Sequence, residues 1–340
     1  MTKSTSLFVS GILVGVLVST VGFSLLLQSR RGNPGDTASA GQTVLKLGHS
    51  LDTAHPVHRA IVRMRDELES LSGGKMSLDI YPGSVLGSET QCIEQLQNGS
   101  LAMTKTSAAV MENFIPEMAV FGMPYVFRDD EHYWQVLGGD IGEGLLRKGV
   151  AKFVRGLCYY EGGSRNFYTK QPIRSPEDLK GMKIRVMNSA TAIEMIESFG
   201  ASPTPISSGE LYSALAQGIV DGAENNFPTF TSNKHYEVCK HFTLDGHTRI
   251  PDVLSISTKS WDRLSGQQQE WLSQAAAVSS DFQREIWAEE TQKARDKAES
   301  EGVTVYEVDL PPFAERVRPM HDAIENENVK QILDAIGTVE

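Results

Sequence analysis

The chain opens on an apolar run, residues 7–27 (LFVSGILVGVLVSTVGFSLLL), with no charge between Lys3 and Arg30. A helix of about 20 apolar residues spans a bilayer, so the run has the length of a membrane anchor. It also has the form of a secretory signal, with a positive start, an apolar middle and a small-residue site at Ala38, Ser39 and Ala40. A cleaved signal and an uncleaved anchor both fit, and either exports the rest of the chain. The linker GNPGDTASAG follows.

Beyond it the pattern changes to short alternating segments. Residues 44–47 predict a strand. Ile61, Met64, Leu68 and Leu71 recur at helical spacing and predict a helix over 58–71, stopped by Gly73 and Gly74. Met76, Leu78 and Ile80 alternate as a strand. Ser88 to Gln91 form a capping box that opens a helix through Ile93 and Leu96, and LAMT (101–104) is the next strand. A second series starts near residue 165: a strand FYTK, a short helix opened by Ser175 and Pro176, a strand KIRVM and a helix AIEMIESFG. An extended piece at 203–206, a helix ELYSALAQG and the stretch IVDGAEN complete it.

Strands alternating with helices predict an α/β fold with mainly parallel sheets. The stretches LQNGSLAMT and LAQGIVDGA are both a helix end, a glycine stop and a strand. That rhyme predicts two similar α/β units with a cleft between them. A helical run over 267–300 is long enough to lie across both, and VTVYEV predicts a strand after it.

Without residues 1–40, 300 residues remain, enough for two domains. The segment removed carries Lys3, Arg30, Arg31 and Asp36, so the net charge goes from −11 to −13. An acidic exported body disfavours nucleic acid and anionic lipid as partners, but not a small anion held in one basic pocket. Cys92, Cys158 and Cys239 allow at most one disulfide, not a disulfide framework.

Enzyme motifs are missing. No glycine fingerprint follows a strand, no phosphate loop or nucleophile elbow has its spacing, and no zinc-protease motif occurs. No cofactor and no catalytic residue is therefore expected. His49, His55 and His58 cluster, and His235, His241 and His247 recur every six residues, but neither spacing brings ligands to one metal. No metal is expected; His55, beside Pro56 at a helix start, is the candidate ligand contact. The acid pairs Asp129–Asp130 and Glu289–Glu290 read as solvated charge.

The strand KIRV poses the sharper question. Arginine is rarely buried unless its charge is paired, yet Arg185 lies within a buried strand. In open α/β sheets ligands bind beyond the carboxyl ends of strands. Arg185 and Asn225 sit at such ends, and Arg165 opens the FYTK strand. Two arginines and an amide that converge would make a carboxylate site, because guanidinium presents a fork matching both oxygens. Equally, Arg185 could pair with Glu210 or Glu224 and tie its domain together.

The stretches LSGGKMSLDIYPGSVLGSE, LKGMKIRVMNS, GASPTPISSGELYSALAQGIVDGAENN and HYEVCKHFTLDGHT, spread over residues 44–310, resemble the solute-binding subunits of tripartite ATP-independent periplasmic (TRAP) transporters. The resemblance implies a two-lobed periplasmic binding protein fold whose cleft closes on an organic acid, with delivery to membrane permease subunits. It divides the chain into a signal or anchor (1–40), a domain of 41–163 with 251–290, and a second of 164–250 with 291–340. It makes Arg185 the carboxylate clamp, Arg165 and Asn225 ligand contacts and Glu89 an acidic residue near the cleft; Lys105 and His55 join them as hydrogen-bonding partners for hydroxyls. Many members carry an aromatic where this chain has Ser208, which leaves room for a larger hydroxylated ligand. SLAMTKTSAAVMENF, RGLCYYEGGSRNFYTK and GHSLDTAHPVH look most like members that bind glucuronate or galacturonate. A C4-dicarboxylate binder, an enzyme or an anchored sensor on a bilobal scaffold are the alternatives.

Overall fold

A computed structural model describes residues 41–339. The expected signal or anchor lies outside them. Among the described residues no helix is long and apolar enough to cross a membrane.

Strand β1 (Thr43–Gly48) leads into helix α1 (Pro56–Ser72), which buries Ala60, Ile61, Met64 and Leu68 and ends at Gly73 in the left-handed region, φ 58°. Strand β2 (Met76–Tyr81), helix α2 (Glu89–Asn98), strand β3 (Met103–Ser107) and the short α3 (Ala108–Met111) follow. The capping box expected at Ser88 and Gln91 is formed. Helices α4 (Asp130–Gly138) and α5 (Asp140–Lys148) precede strand β4 (Val154–Tyr160).

The second series runs β5 (Ser164–Thr169), β6 (Lys183–Val186), α6 (Ala190–Ser198), β7 (Ser202–Pro205), α7 (Ser208–Ala216), β8 (Gly222–Asn225), α8 (Phe227–Ser232) and β9 (His241–Arg249). The chain then returns through β10 (Asp252–Ser257) and α9 (Thr258–Trp261). The long α10 (Gly266–Ser300), β11 (Thr304–Glu307), α11 (Leu310–Asp322) and α12 (Glu327–Thr338) complete it.

Two sheets result, ordered β2-β1-β3-β10-β4 and β11-β9-β5-β8-β6-β7. Both are mixed rather than mainly parallel. β10 runs antiparallel to β3 and β4, and β5 antiparallel to β8 and β9. The cause is the double crossing: β4 continues into β5 across residues 161–163, and β9 returns to β10 across 250–251, so each sheet receives a strand of opposite direction. The two crossings touch. A Cβ on Gly162 would lie 2.1 Å from the carbonyl oxygen of Ile250, so only glycine permits this approach.

Helix α10, about 50 Å long at 1.5 Å per residue, joins the two lobes. Leu272, Ala275 and Ala276 pack in the first lobe's core with Leu47 and Met64, while Ala294 and Ala298 pack in the second with Phe230 and Phe242. The C-terminal segment departs from the expected division. Phe313 and Val317 of α11 lie in the second lobe's core, but Val329 and Ile336 of α12 pack with Phe121 and Leu145 of the first. Residues 291–340 therefore serve both lobes, because α12 has an apolar face that the first lobe buries. Cys92, Cys158 and Cys239 are buried and unpaired, each in a different core cluster, so no disulfide forms between them.

Candidate functional site

Between the sheets lies a cavity of about 370 Å³, lined from both lobes. Arg185, Arg165, Asn225, Glu89, Lys105 and His55 all line it, as do Ser208, Asp252 and Trp287.

Arg185 sits on β6, whose four residues bury all side chains but that of Lys183. Its side chain reaches the cavity with only 2 % exposure of the residue. Nε donates to the Ile206 carbonyl at 2.8 Å, and among the described residues the guanidinium has no carboxylate partner. Burial pulls its pKa down from the ordinary value, as expected for a charge taken from water without a counter-ion. The proposed partners are occupied elsewhere: Glu210 accepts from Ser207, and Glu224 belongs to Arg165.

Arg165 is the opposite case. Its Nε and Nη2 grip the two Glu224 oxygens at 2.5 and 2.9 Å, and Nη1 donates to Asn225 Oδ1 at 3.1 Å. Beneath them His247 places Nε2 3.4 Å from Glu224 and Nδ1 2.7 Å from Asp245. Burial works to raise Glu224, but Arg165 and His247 hold it down at about 2. Burial likewise works to lower His247, but Asp245 and Glu224 raise it to about 9. Arg165 is thus a fixed, neutralised wall element. Asn225 uses its oxygen on Arg165 and on the Asn226 N–H, which leaves its Nδ2 donors for a ligand.

A second cluster comes from the first lobe. Lys105 on β3 is buried with Nζ 3.0 Å from Glu89 Oε1 and 3.0 Å from Asp252 Oδ1. Glu89, in the first turn of α2, also accepts from Ser50 Oγ at 3.0 Å and from the Ser107 N–H at 3.2 Å. Burial opposes charge on Lys105, yet Asp252 and Glu89 raise its pKa.

His55 caps α1. Its Nδ1 accepts from the Val57 N–H at 3.2 Å, which leaves the proton on Nε2, 3.2 Å from Thr229 Oγ1 on α8. That hydrogen bond crosses the cleft. Trp287 of α10 stands beside it, ring centroids 6.2 Å apart. Among the described residues no three His, Cys, Asp or Glu side chains are placed to hold a metal.

Sequence reading missed Asp252, Trp287, Thr229 and the Asp245–His247 pair. Only the last left a signal: Asp245 and His247 are two apart in DGHT, hence on one face of a strand. The acid pairs lie outside the cavity, where Glu290 meets Arg59 at 2.9 Å and Asp129 caps α4 by accepting from the His132 N–H.

The family model described as bacterial extracellular solute-binding protein, family 7, matches residues 47–328. Three solved structures superpose with a TM-score of 0.85, and each is a TRAP periplasmic solute-binding protein. That of Xanthobacter autotrophicus Py2, with bound β-D-galacturonate, is 34 % identical over 87 % of this chain and 100 % of its own. That of Polaromonas sp. JS666, bound to D-erythronate, is 33 % identical over 88 % and 99 %. That of Anaerococcus prevotii, with bound D-glucuronate, is 32 % identical over 87 % and 97 %.

Proposed function

The chain belongs to family 7 of the bacterial extracellular solute-binding proteins, and from that premise we propose that it captures a hexuronate such as galacturonate or glucuronate for a TRAP permease. Family members serve transport. Arg185 carries the reading: a buried, unpaired guanidinium lining a two-lobed cavity has the charge and the fork for one carboxylate. The bound acids of the solved relatives, uronates and erythronate, share one carboxylate and several hydroxyls, which supports the ligand class. Asn225 Nδ2 and the Glu89–Lys105–Asp252 cluster offer donors and acceptors to those hydroxyls. Arg165 enters as the residue that orients Asn225 and the wall, and His55 as a cleft-closing contact. The body acts in the periplasm, soluble if residues 1–40 are removed and tethered if they are kept.

Thermal melting with a panel of organic acids tests the proposal. Galacturonate or glucuronate raises the melting temperature, while succinate, malate and fumarate leave it nearly unchanged. A shift with succinate and none with either uronate refutes the ligand class and leaves the family standing.

A further inference from the structure

We propose that Asp252, acting with Glu89 and Lys105, sets the ligand's charge: the site accepts a polyhydroxy monoanion and rejects a dianion. The inference rests on the proposed capture of a sugar acid.

The geometry separates the two carboxylates of the cluster. Both Glu89 oxygens are used, Oε1 by Ser50 and Lys105 and Oε2 by the Ser107 N–H. Asp252 uses only Oδ1, on Lys105. Its side chain lines the cavity, keeps 16 % exposure, and its Oδ2 has no hydrogen-bond partner among the described residues. A carboxylate oxygen only accepts, so what suits Oδ2 is a ligand hydroxyl that donates. The cavity therefore pairs the Nη donors of Arg185, whose Nε alone is engaged, with the free acceptor Asp252 Oδ2.

Charge bookkeeping points the same way. Arg165 cancels Glu224, His247 cancels Asp245, and Arg249, 3.6 Å from Glu161, offsets that further carboxylate of the lining. Lys105 lies between two carboxylates, so its cluster carries −1, which Arg185 offsets across the cavity. One ligand carboxylate is met by Arg185. A second would face the cluster's excess negative charge and Asp252 Oδ2 at close range between the lobes, where like charges repel.

The test compares wild type, Asp252→Asn and Glu89→Gln, each purified as exported, by calorimetry with galacturonate, glucuronate, erythronate and succinate. Asp252→Asn keeps the side chain's shape and a carbonyl acceptor for Lys105 while removing one charge. Expected are a loss of at least tenfold in affinity for the hydroxy acids and a gain of at least tenfold for succinate. Glu89→Gln, which removes the same charge elsewhere in the cluster, reproduces the gain for succinate. The ligand-free melting temperature separates a packing role from a recognition role. Asp252→Asn that melts lower but keeps wild-type affinities makes Asp252 a counter-ion for Lys105 and overturns the proposal. So does a loss of hydroxy-acid binding with no gain for succinate in either variant. The uronate reading fails on a different arm: if wild type binds erythronate but neither uronate, the Asp252 comparison is made with erythronate. Wild type that binds only succinate overturns both.

Discussion

Glu224 is gripped by Arg165 through two hydrogen bonds, at 2.5 and 2.9 Å, and this pairing leaves Arg185 without a carboxylate. Strand register produces the asymmetry. β5 runs antiparallel to β8 with Asn166 opposite Asn225 and Phe167 opposite Glu224, which brings the Arg165 side chain to Glu224. β6 runs parallel to β8 with Arg185 opposite Ala223, which offers no charge. Two buried arginines on the strands that flank β8 thus differ, though both line the cavity: Arg165 is paired with Glu224, and Arg185 has no carboxylate partner among the described residues.

Replacing Arg185 therefore acts on binding rather than on folding. Arg185→Ala lowers uronate affinity by about thirty- to several-thousand-fold, the roughly 2–5 kcal/mol of a buried charge-assisted contact. Ligand-free stability in urea holds or rises, because an unpaired buried charge is removed. Arg185→Lys also binds poorly, since an ammonium cannot form the fork. Normal calorimetric binding by the alanine variant would remove Arg185 from the site.

Glu224→Gln does the reverse. It leaves Arg165 a buried cation without its counter-ion, and breaking such a pair costs about 3–5 kcal/mol. Urea unfolding of the ligand-free variant shifts down by that order. A double-mutant cycle of Arg165 and Glu224 returns a coupling well above 1 kcal/mol; additivity would mean the pair is not what holds the wall.

Much of this was legible beforehand, and the gaps have physical causes. Helices with caps and period, such as α1 with His55 and Pro56 and α2 with its capping box, stand where the pattern put them, because local hydrogen bonds fix their ends. Arg185, Arg165, Asn225, Glu89, Lys105 and His55 do meet at one cavity. What failed was non-local. The antiparallel insertions of β10 and β5 come from the double crossing, which no local pattern encodes. Which arginine owns Glu224 depends on strand register, and α12's return to the first lobe depends on where an apolar face finds cover. Asp252 stands alone after Ile250 and Pro251, and only the Lys105 contact gives it meaning.

The two lobes also meet at Glu112. Glu112, which follows α3 in the first lobe, accepts from the Thr191 N–H at 3.1 Å and from Thr191 Oγ1 at 2.8 Å, in the first turn of α6 in the second lobe. Asn113 Nδ2 donates to the Asn188 carbonyl at 2.6 Å beside it. Hydrogen bonds to a buried charge contribute about 1.5–3 kcal/mol, and a contact made only in the closed form adds that to ligand affinity. Glu112→Ala then weakens uronate binding by about ten- to a hundredfold, and scattering shows less compaction at a given uronate concentration. Unchanged affinity with a lower ligand-free melting temperature would place the contact in both forms instead.

Stability should peak near pH 6.5, because buried histidines of opposite kinds flank it. His247 is held up at about 9, so its contribution is complete below its unfolded pKa of 6.5 and fades as pH rises through 9. The shift corresponds to roughly 3 kcal/mol at about 1.4 kcal/mol per unit. His49 and His235 are each held down to about 3, chiefly by burial, with Lys105 acting on the first and Arg185 on the second. Their neutral forms stabilise the fold above pH 6.5, and that contribution is lost as pH falls from 6.5 towards 3. Glu224, held at about 2, adds to the acid arm only below its unfolded value near 4.5. Urea unfolding between pH 5 and 9.5 resolves the two arms. His247→Gln flattens the alkaline arm between pH 7 and about 8.5 and leaves the acid arm in place; above that the buried thiols of Cys158 and Cys239, pushed up to about 12, add a loss of their own as the unfolded thiols ionise. Wild-type stability that climbs from pH 7 to 9 would have the wrong sign for a charged His247 between Asp245 and Glu224.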